Sequence, residues 1–237
     1  MLCYKTVVTE KCRYCHGETI KFGKTGGSQR YRCKACSKTQ LKHYANQACE
    51  LNVDPEIAAH VKEGCGIRSI ARLLHISATT VISRIQKIAE SIKKPAIMTK
   101  RTYEVDELKT YIKSKANEYW VIYAIDKNSR AVVDLKVGKR NKKNIKRVTD
   151  TLLLAECKHI YTDRLDIYGF VIPKTLHRTR RYGTNHIERK NLSLRTHLKR
   201  LNRKTICFSK GLLMLEACLK IYFWSNQQSI QVLSTNT

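Results

Sequence analysis

Four cysteines constrain this chain more than any other feature. Cys12-Arg-Tyr-Cys15 and Cys33-Lys-Ala-Cys36 are two C-x-x-C pairs with 17 residues between them. The stretch from Lys11 to Lys38 is rich in Gly, Lys and Arg and poor in apolar residues, so it cannot build a core of its own. Four thiolates at this spacing match the tetrahedral preference of Zn²⁺, which would staple the segment. Thr19–Phe22 and Arg30–Arg32 read as the arms of a hairpin, with Gly23, Gly26 and Gly27 supplying the turn. Such a staple either only holds the module together or also presents Arg13, Arg30, Arg32 and Lys34 to DNA. The other cysteines, Cys3, Cys49, Cys65, Cys157, Cys207 and Cys218, are expected to be small buried side chains.

Charge narrows the partner. The chain has 46 Lys+Arg against 19 Asp+Glu, a formal net charge of +27. A surface so basic attracts a polyanion, and nucleic acid is the commonest one. Met1–Glu10 lacks the apolar stretch of a signal peptide, and no apolar run approaches the roughly 20 residues of a membrane helix. With cysteines paired for a metal rather than spread as a disulfide framework, the expected setting is a reducing cytosol, with no membrane partner.

From about Asp54 to Ile92 the pattern is one of short amphipathic helices. Asp54-Pro55 is expected to cap and open a first helix running to about Glu63. Ile67–Leu74 makes a second. His75-Ile76 forms a turn, and Ser77 caps a third helix with Val81, Ile82, Ile85 and Ile88 on its apolar side. This is helix-turn-helix spacing, with His75 where Gly is usual. The third helix would enter the major groove and bring Ser77, Thr79, Thr80 and Arg84 to bases or phosphates, with Arg68 of the second helix nearby. An ordinary three-helix packing unit is the plainer reading.

After a basic linker containing Pro95, Tyr103–Leu108, Trp120–Ile125 and Ala131–Val137 read as strands. Asn141–Leu154 reads as a helix and His159–Thr162 as a short strand. From Thr184 onward Ile187, Leu194, Leu198 and Leu201 recur at helical spacing. The layout is α/β. Acids are scarce here: Ile167 to Leu215 holds twelve Lys/Arg and one acid, Glu188. Asp106 sits in an otherwise apolar strand, where an acid is costly unless it binds something. Asp163 ends a later strand, a frequent place for ligand residues. Spacing alone leaves Glu188 equally readable as an ion-pair acceptor. It also leaves Glu104, Glu107, Asp126, Asp134 and Asp166 open.

Tyr161-Thr162-Asp163, then Thr184-Asn185-His186-Ile187-Glu188-Arg189-Lys190-Asn191-Leu192, Leu194–Leu201 and Arg203–Ser209, resemble the catalytic signature of insertion-sequence-1 family transposases. The cysteine pairs and the helix-turn-helix pattern resemble that family's DNA-binding half. The resemblance implies an RNase H-like catalytic domain over residues 102–237. A zinc ribbon (1–50), a helix-turn-helix domain (51–92) and a basic linker (93–101) would precede it. It implies an Asp106, Asp163 and Glu188 triad on Mg²⁺ (or Mn²⁺), with Asp166 or Asp126 as possible substitutes. Arg189, Arg195 and Lys199 would be DNA contacts. Double-stranded DNA, as element ends and target, would be the substrate of a homo-oligomer. Two rivals stand beside it. One is a non-enzymatic DNA-binding regulator. The other is a tyrosine recombinase, outlined by His197-Leu198-Lys199-Arg200 and Tyr222.

Overall fold

The computed structural model describes residues 10–49, 52–202, 205 and 207–225. Cys3, the Met1–Thr9 stretch, Arg203, Lys204 and Ile206, all used above, lie outside the described residues.

Strands β1 (Thr19–Thr25), β2 (Ser28–Cys33) and β3 (Thr39–Leu41) form an antiparallel sheet in that order. Gly26 and Gly27, at φ 54° and 78°, make the β1–β2 turn that L side chains resist. Gly23 is not in that turn. It lies where the register shifts between Lys21 and Lys24, a bulge within β1. Strand β3 was not anticipated, because three residues of mixed polarity carry no readable alternation.

Helices α1 (Val53–Lys62), α2 (Ile67–Leu73) and α3 (Ala78–Ser91) follow. The N-cap of α1 is Asn52, not Asp54. Asp54 lies inside the first turn and pairs with Arg84 of α3 at 3.1 Å. His75 takes φ 50° in the turn, and the Ser77 hydroxyl accepts the Thr80 N–H at 3.0 Å, so that cap is as expected. Val81, Ile85 and Ile88 are buried on one stripe. Ile82 is 38 % exposed, because one residue along a helix rotates the side chain about 100° off that stripe.

The larger sheet holds β4 (Thr102–Ile112), β5 (Ser114–Asp126), β6 (Val132–Gly138), β7 (His159–Tyr161) and β8 (His177–Arg178), ordered β6-β5-β4-β7-β8. The first three strands are antiparallel neighbours, while β7 runs parallel to β4 and β8 parallel to β7. Helix α4 (Lys142–Leu154) makes the crossover from β6 to β7, and α5 (Asp166–Val171) follows β7. These two cover one face over Tyr103, Val105, Ile122 and Ala124. Helices α6 (Asn185–His197) and α7 (Leu212–Trp224) cover the other, over Leu108, Val121, Tyr123 and Leu135. The four leucine and isoleucine positions of the C-terminal stripe are all buried there. The helix does not run through them, however: α6 ends at His197, Leu198 is extended, and Leu201 closes a 3₁₀ turn. The architecture is mixed α/β.

Apart from the ion-paired Glu216 and Lys220, helix α7 is apolar, and it serves two cores. Leu215 and Leu219 pack on the sheet, while Ala217, Cys218 and Ile221 pack with α1 and α3. The two parts also meet at Gly64 (φ 72°), where a Cβ would lie 2.1 Å from the His197 carbonyl oxygen. The break in composition near residue 92 is therefore not a break in packing. Deleting residues 1–92 is expected to expose the second face of α7, and the shortened chain should aggregate in size-exclusion chromatography. Ile221→Ala in the full chain should lower stability by about 3 kcal/mol. A monodisperse truncated chain with an unchanged thermal midpoint would contradict the shared core.

Candidate functional site

The cysteine cluster rests on two loops of the same design. In each, the residue after the second cysteine takes positive φ (His16 57°, Ser37 59°) and donates its N–H to the first cysteine's carbonyl, at 2.9 and 3.1 Å. The turn aims both sulfurs inward. Cys12, Cys15, Cys33 and Cys36 offer sulfurs all within 4.8 Å of one another, with Cys12–Cys36 at 3.6 Å and Cys15–Cys33 at 3.4 Å. A tetrahedron with Zn–S bonds of about 2.3 Å has edges of about 3.8 Å, so the donor set fits zinc without rearrangement. Backbone N–H groups of Tyr14 and Cys36 point at the Cys12 and Cys33 sulfurs, a setting that favours thiolates. For Cys33 this pulls the thiol below its ordinary range, with the Cys36 N–H the main cause. Of the other described cysteines, Cys157 and Cys218 are buried as expected. Cys49, at the end of a short 3₁₀ helix, and Cys207, in irregular chain, are exposed, and Cys65 is half-buried between α1 and α2, packed against the helical core.

The acidic site is built on β4, whose side chains alternate between the two faces of the sheet. Glu104, Asp106 and Leu108 face α6. Tyr103, Val105 and Glu107 face α4 and α5. Strand β7 pairs with β4 only as far as Glu104↔Tyr161. Beyond that pair β4 keeps β5 on one side but loses β7 on the other, where Asp163, two residues past the end of β7, comes alongside. Asp106, Glu107 and Asp163 each bring a carboxylate oxygen within 4.8 Å of the others. Glu188, in the first turn of α6, is not in this tight group but lines the same open cleft of about 850 Å³ with Asp106, Glu107, Asn191 and Arg195.

Asp106 is fixed from two sides: its Oδ1 accepts the Glu107 N–H at 2.7 Å and its Oδ2 accepts from Asn191 Nδ2 at 2.6 Å. Asn191 in turn accepts from the Tyr123 hydroxyl at 2.7 Å. Burial pushes the Asp106 carboxyl up to about 6, and the Asp163 and Glu188 charges add to the rise against those hydrogen bonds. Burial likewise pushes Glu107 up to about 7, although Tyr168 and Arg140 pull it down. Glu188 accepts from the Thr184 hydroxyl at 2.7 Å, and Asp163 accepts the Leu165 N–H at 3.0 Å.

Of the remaining candidate acids, three have structural partners. Asp126 accepts from Asn128 and Ser129 N–H groups in its turn. Asp134 is fully buried and paired with linker Lys94, and it also accepts from Thr151. Asp166 opens α5, exposed and outside the acidic group. Glu104, left open by spacing, is fully buried and holds the start of α6. It accepts from His186 Nδ1 at 2.7 Å and from the Ile187 N–H at 2.9 Å. Its position two residues before Asp106, on the same strand face, was the signal that could have found it.

Of the expected DNA contacts, Arg68, Thr79, Arg189 and Lys199 are exposed, and Arg195 lines the cleft while donating to the Leu201 carbonyl at 2.9 Å. Ser77 and Thr80 are engaged with each other across the cap of α3. Arg32 is exposed and Arg30 half-buried, their guanidinium groups 5.4 and 4.9 Å from the Phe22 ring centre. Arg84, expected at the DNA, is turned to the protein. Its guanidinium binds both Asp54 oxygens and the Ala48 carbonyl, so it clamps α3 to α1 instead of pointing outward. Tyr222 meets His197 at 2.6 Å, but burial and nearby Glu63 push the phenol up, the opposite of what a nucleophile needs. Arg200 points to Ser209 instead. No helix among the described residues is long and apolar enough to cross a membrane.

A family model described as IS1 transposase matches residues 100–228, the region from β4 through α7. Insertion element iso-IS1n protein InsB of Shigella dysenteriae and insertion element IS1 protein InsB of Shigella flexneri are each 36 % identical over 108 residues, covering 46 % of this chain and 82 % of theirs. An Escherichia coli InsB is 34 % identical over the same length, 65 % of its own. Among solved structures, a simian T-cell lymphotropic virus intasome in complex with PP2A regulatory subunit B56 gamma gives a TM-score of 0.38 at 15 % identity, covering 74 % of each chain. The HTLV-2 integrase catalytic core domain in complex with magnesium gives 0.35 at 19 %, covering 54 % of this chain and 86 % of that one. By the extent of the family match and the identity of these InsB relatives, the chain belongs to the IS1 transposase family.

Proposed function

We propose that this chain is a DNA transposase of the Asp-Asp-Glu type that binds the terminal inverted repeats of its insertion sequence and cuts and joins DNA strands with Mg²⁺. The observation that carries the reading is the open end of the sheet. Asp106 and Asp163 lie side by side there and Glu188 faces the same cleft, in a chain of this family. Oxygen-only donors suit Mg²⁺ or Mn²⁺, and crowded carboxylates favour a divalent cation that relieves their repulsion. Bound there, the metal would lower the barrier to attack on a phosphodiester by water or a 3′-hydroxyl and to departure of the leaving oxygen. The chain's own residues do the placing. Asn191 and the Glu107 N–H orient Asp106, Glu104 anchors the start of α6, and Thr184 holds Glu188. Arg195, Lys199 and Arg189 would carry the DNA backbone past the cleft.

We read the larger sheet, with its antiparallel β4–β5–β6 and parallel β7, as RNase H-like, the cysteine module as a zinc ribbon, and α2–α3 as a helix-turn-helix. Arg68, Thr79 and the ribbon arginines Arg30 and Arg32 would recognise the ends. Cytoplasmic, nucleoid-associated action as a homo-oligomer on two ends at once completes the proposal.

The test is cleavage and joining of labelled element-end DNA by the full chain. Activity should need Mg²⁺ or Mn²⁺, and affinity for the ends should fall steeply with salt, as for any protein that neutralises many phosphates. Arg68→Ala with Thr79→Ala should erase the preference for the ends while binding to unrelated DNA persists. Retained preference would remove α2–α3 as the reader. Tight end binding without any cleavage, metal present, would favour a regulator.

A further inference from the structure

We propose that Glu107 is a further carboxylate ligand of the divalent cation, which is held between Asp106, Glu107 and Asp163 with Glu188 lining the same cleft. The inference rests on the reading of that cleft as a metal site, and deepens it.

Consecutive residues of a strand point to opposite faces, so Glu107 ought to lie across the sheet from Asp106. It reaches the same place because β7 stops at Tyr161. Past the Glu104↔Tyr161 pair β4 has an open edge, and side chains from both faces can turn into the gap. A Glu107 carboxylate oxygen there lies within 4.8 Å of oxygens from Asp106 and Asp163. Glu107 also lines the cleft that Glu188 and Asn191 border.

The second observation is independent of the clustering. The Glu107 side chain is 1 % exposed, and its Oε1 is buried with no hydrogen-bond partner. Its Oε2 faces Arg140 at 3.6 Å, too long for a direct hydrogen bond. The neighbouring Tyr168 hydroxyl draws the Glu107 carboxyl down but makes no well-formed hydrogen bond with it. Buried acceptors are almost always paired, and a carboxylate oxygen left without a well-formed bond beside other carboxylates suits a cation, with the Tyr168 hydroxyl the competing partner on the protein side. Glu104, by contrast, is equally buried but has His186, Ile187 and Lys127 around it, so it has no such vacancy. The geometry thus separates two buried glutamates of one strand into an anchor and a ligand.

The experiment is a Mn²⁺ titration of the DNA-free, full-length, zinc-loaded protein, with free Mn²⁺ read by electron paramagnetic resonance. Glu107→Gln should weaken the tightest site by about tenfold or more, the scale seen when a metal site loses a supporting group. Asp106→Asn should abolish that site. Glu188→Gln should shift it less than about threefold, as expected of a residue outside the tight group. Thermal unfolding without metal is the fold control, and Mn²⁺ should raise the wild-type midpoint more than that of Glu107→Gln. If the amide variant does not fold, Glu107→Asp carries the same test, since it keeps the charge and withdraws it by one methylene. Wild-type affinity in Glu107→Gln, with the site lost in Asp106→Asn, would overturn this inference alone. Equal binding by wild type and Asp106→Asn would overturn the metal site itself.

Discussion

Asp106→Asn is expected to lower strand cleavage and strand transfer by roughly 10³-fold or more, equivalent to about 4 kcal/mol of lost transition-state stabilisation. Binding to the element ends should stay within about twofold, because no element of the reading helices changes. The substitution is isosteric and the local bonds are forgiving. The Glu107 N–H can still donate to the amide oxygen, and only the bond from Asn191 Nδ2 meets a changed acceptor. What disappears is a charge held where Asp163 and Glu188 already crowd it. Glu188→Gln and Asp163→Asn should behave alike, since Gln can still accept from Thr184 and Asn from the Leu165 N–H. Tyr222→Phe supplies the contrast. It removes one bond to His197 and should leave cleavage within about twofold. A covalent protein–DNA adduct lost in Tyr222→Phe, or full activity in Glu188→Gln, would replace the carboxylate mechanism with the tyrosine one.

The parts that sequence reveals are those set by neighbours along the chain. The cysteine loops, the Ser77 cap and the strands around Asp106 and Asp163 all follow from short-range spacing, and each is present. The parts it hides depend on long-range packing. Nothing in Ala217, Cys218 and Ile221 says that they belong to the α1–α3 core, because the one charged pair of α7, Glu216 and Lys220, does not tell which of its apolar sides meets which core. Arg84 has the composition of a DNA contact, and only the approach of Asp54 and Ala48 turns it inward. Glu104 and Glu107 were visible as acids but not as different acids. Alternation along β4 assigns their faces, yet which one keeps an unpaired oxygen depends on where β7 ends and where α6 begins. The break after His197 was hidden for the same reason: Leu198 and Leu201 fill the core from an extended residue and a 3₁₀ turn, so burial alone mimicked helical periodicity.

Cys33→Ser is expected to release a zinc ion and unfold the segment from Cys12 to Leu41, while the rest of the chain keeps its fold. The reason lies in how little else holds that segment. Its buried residues among those described are Cys12, Thr19, Tyr31, Cys33 and Gln40, so two of five are the cysteines themselves. The outer faces of β1 and β2 are solvated, with Ile20 and Phe22 exposed. Such a module has no apolar core to fall back on, and a structural zinc contributes on the order of 10–16 kcal/mol to folding in comparable small domains. The tie to the helices is thin, chiefly Arg13 donating to the Cys49 carbonyl at 2.6 Å, so unfolding should stop there. Metal analysis of the purified wild type should give about one zinc per chain, as four thiolates bind one ion. Limited proteolysis of Cys33→Ser should cut between Cys12 and Leu41 and spare the region from Val53 onward. End-specific DNA binding should weaken if the ribbon arginines contribute, while Mn²⁺ binding at the acidic cleft should be unchanged. Cys49→Ser is the matched control: an exposed thiol outside the cluster, whose loss should leave zinc content and proteolysis as they are. Well-folded wild-type protein without zinc would end the metal-staple reading, and unchanged protease resistance in Cys33→Ser would show that the sheet stands without it.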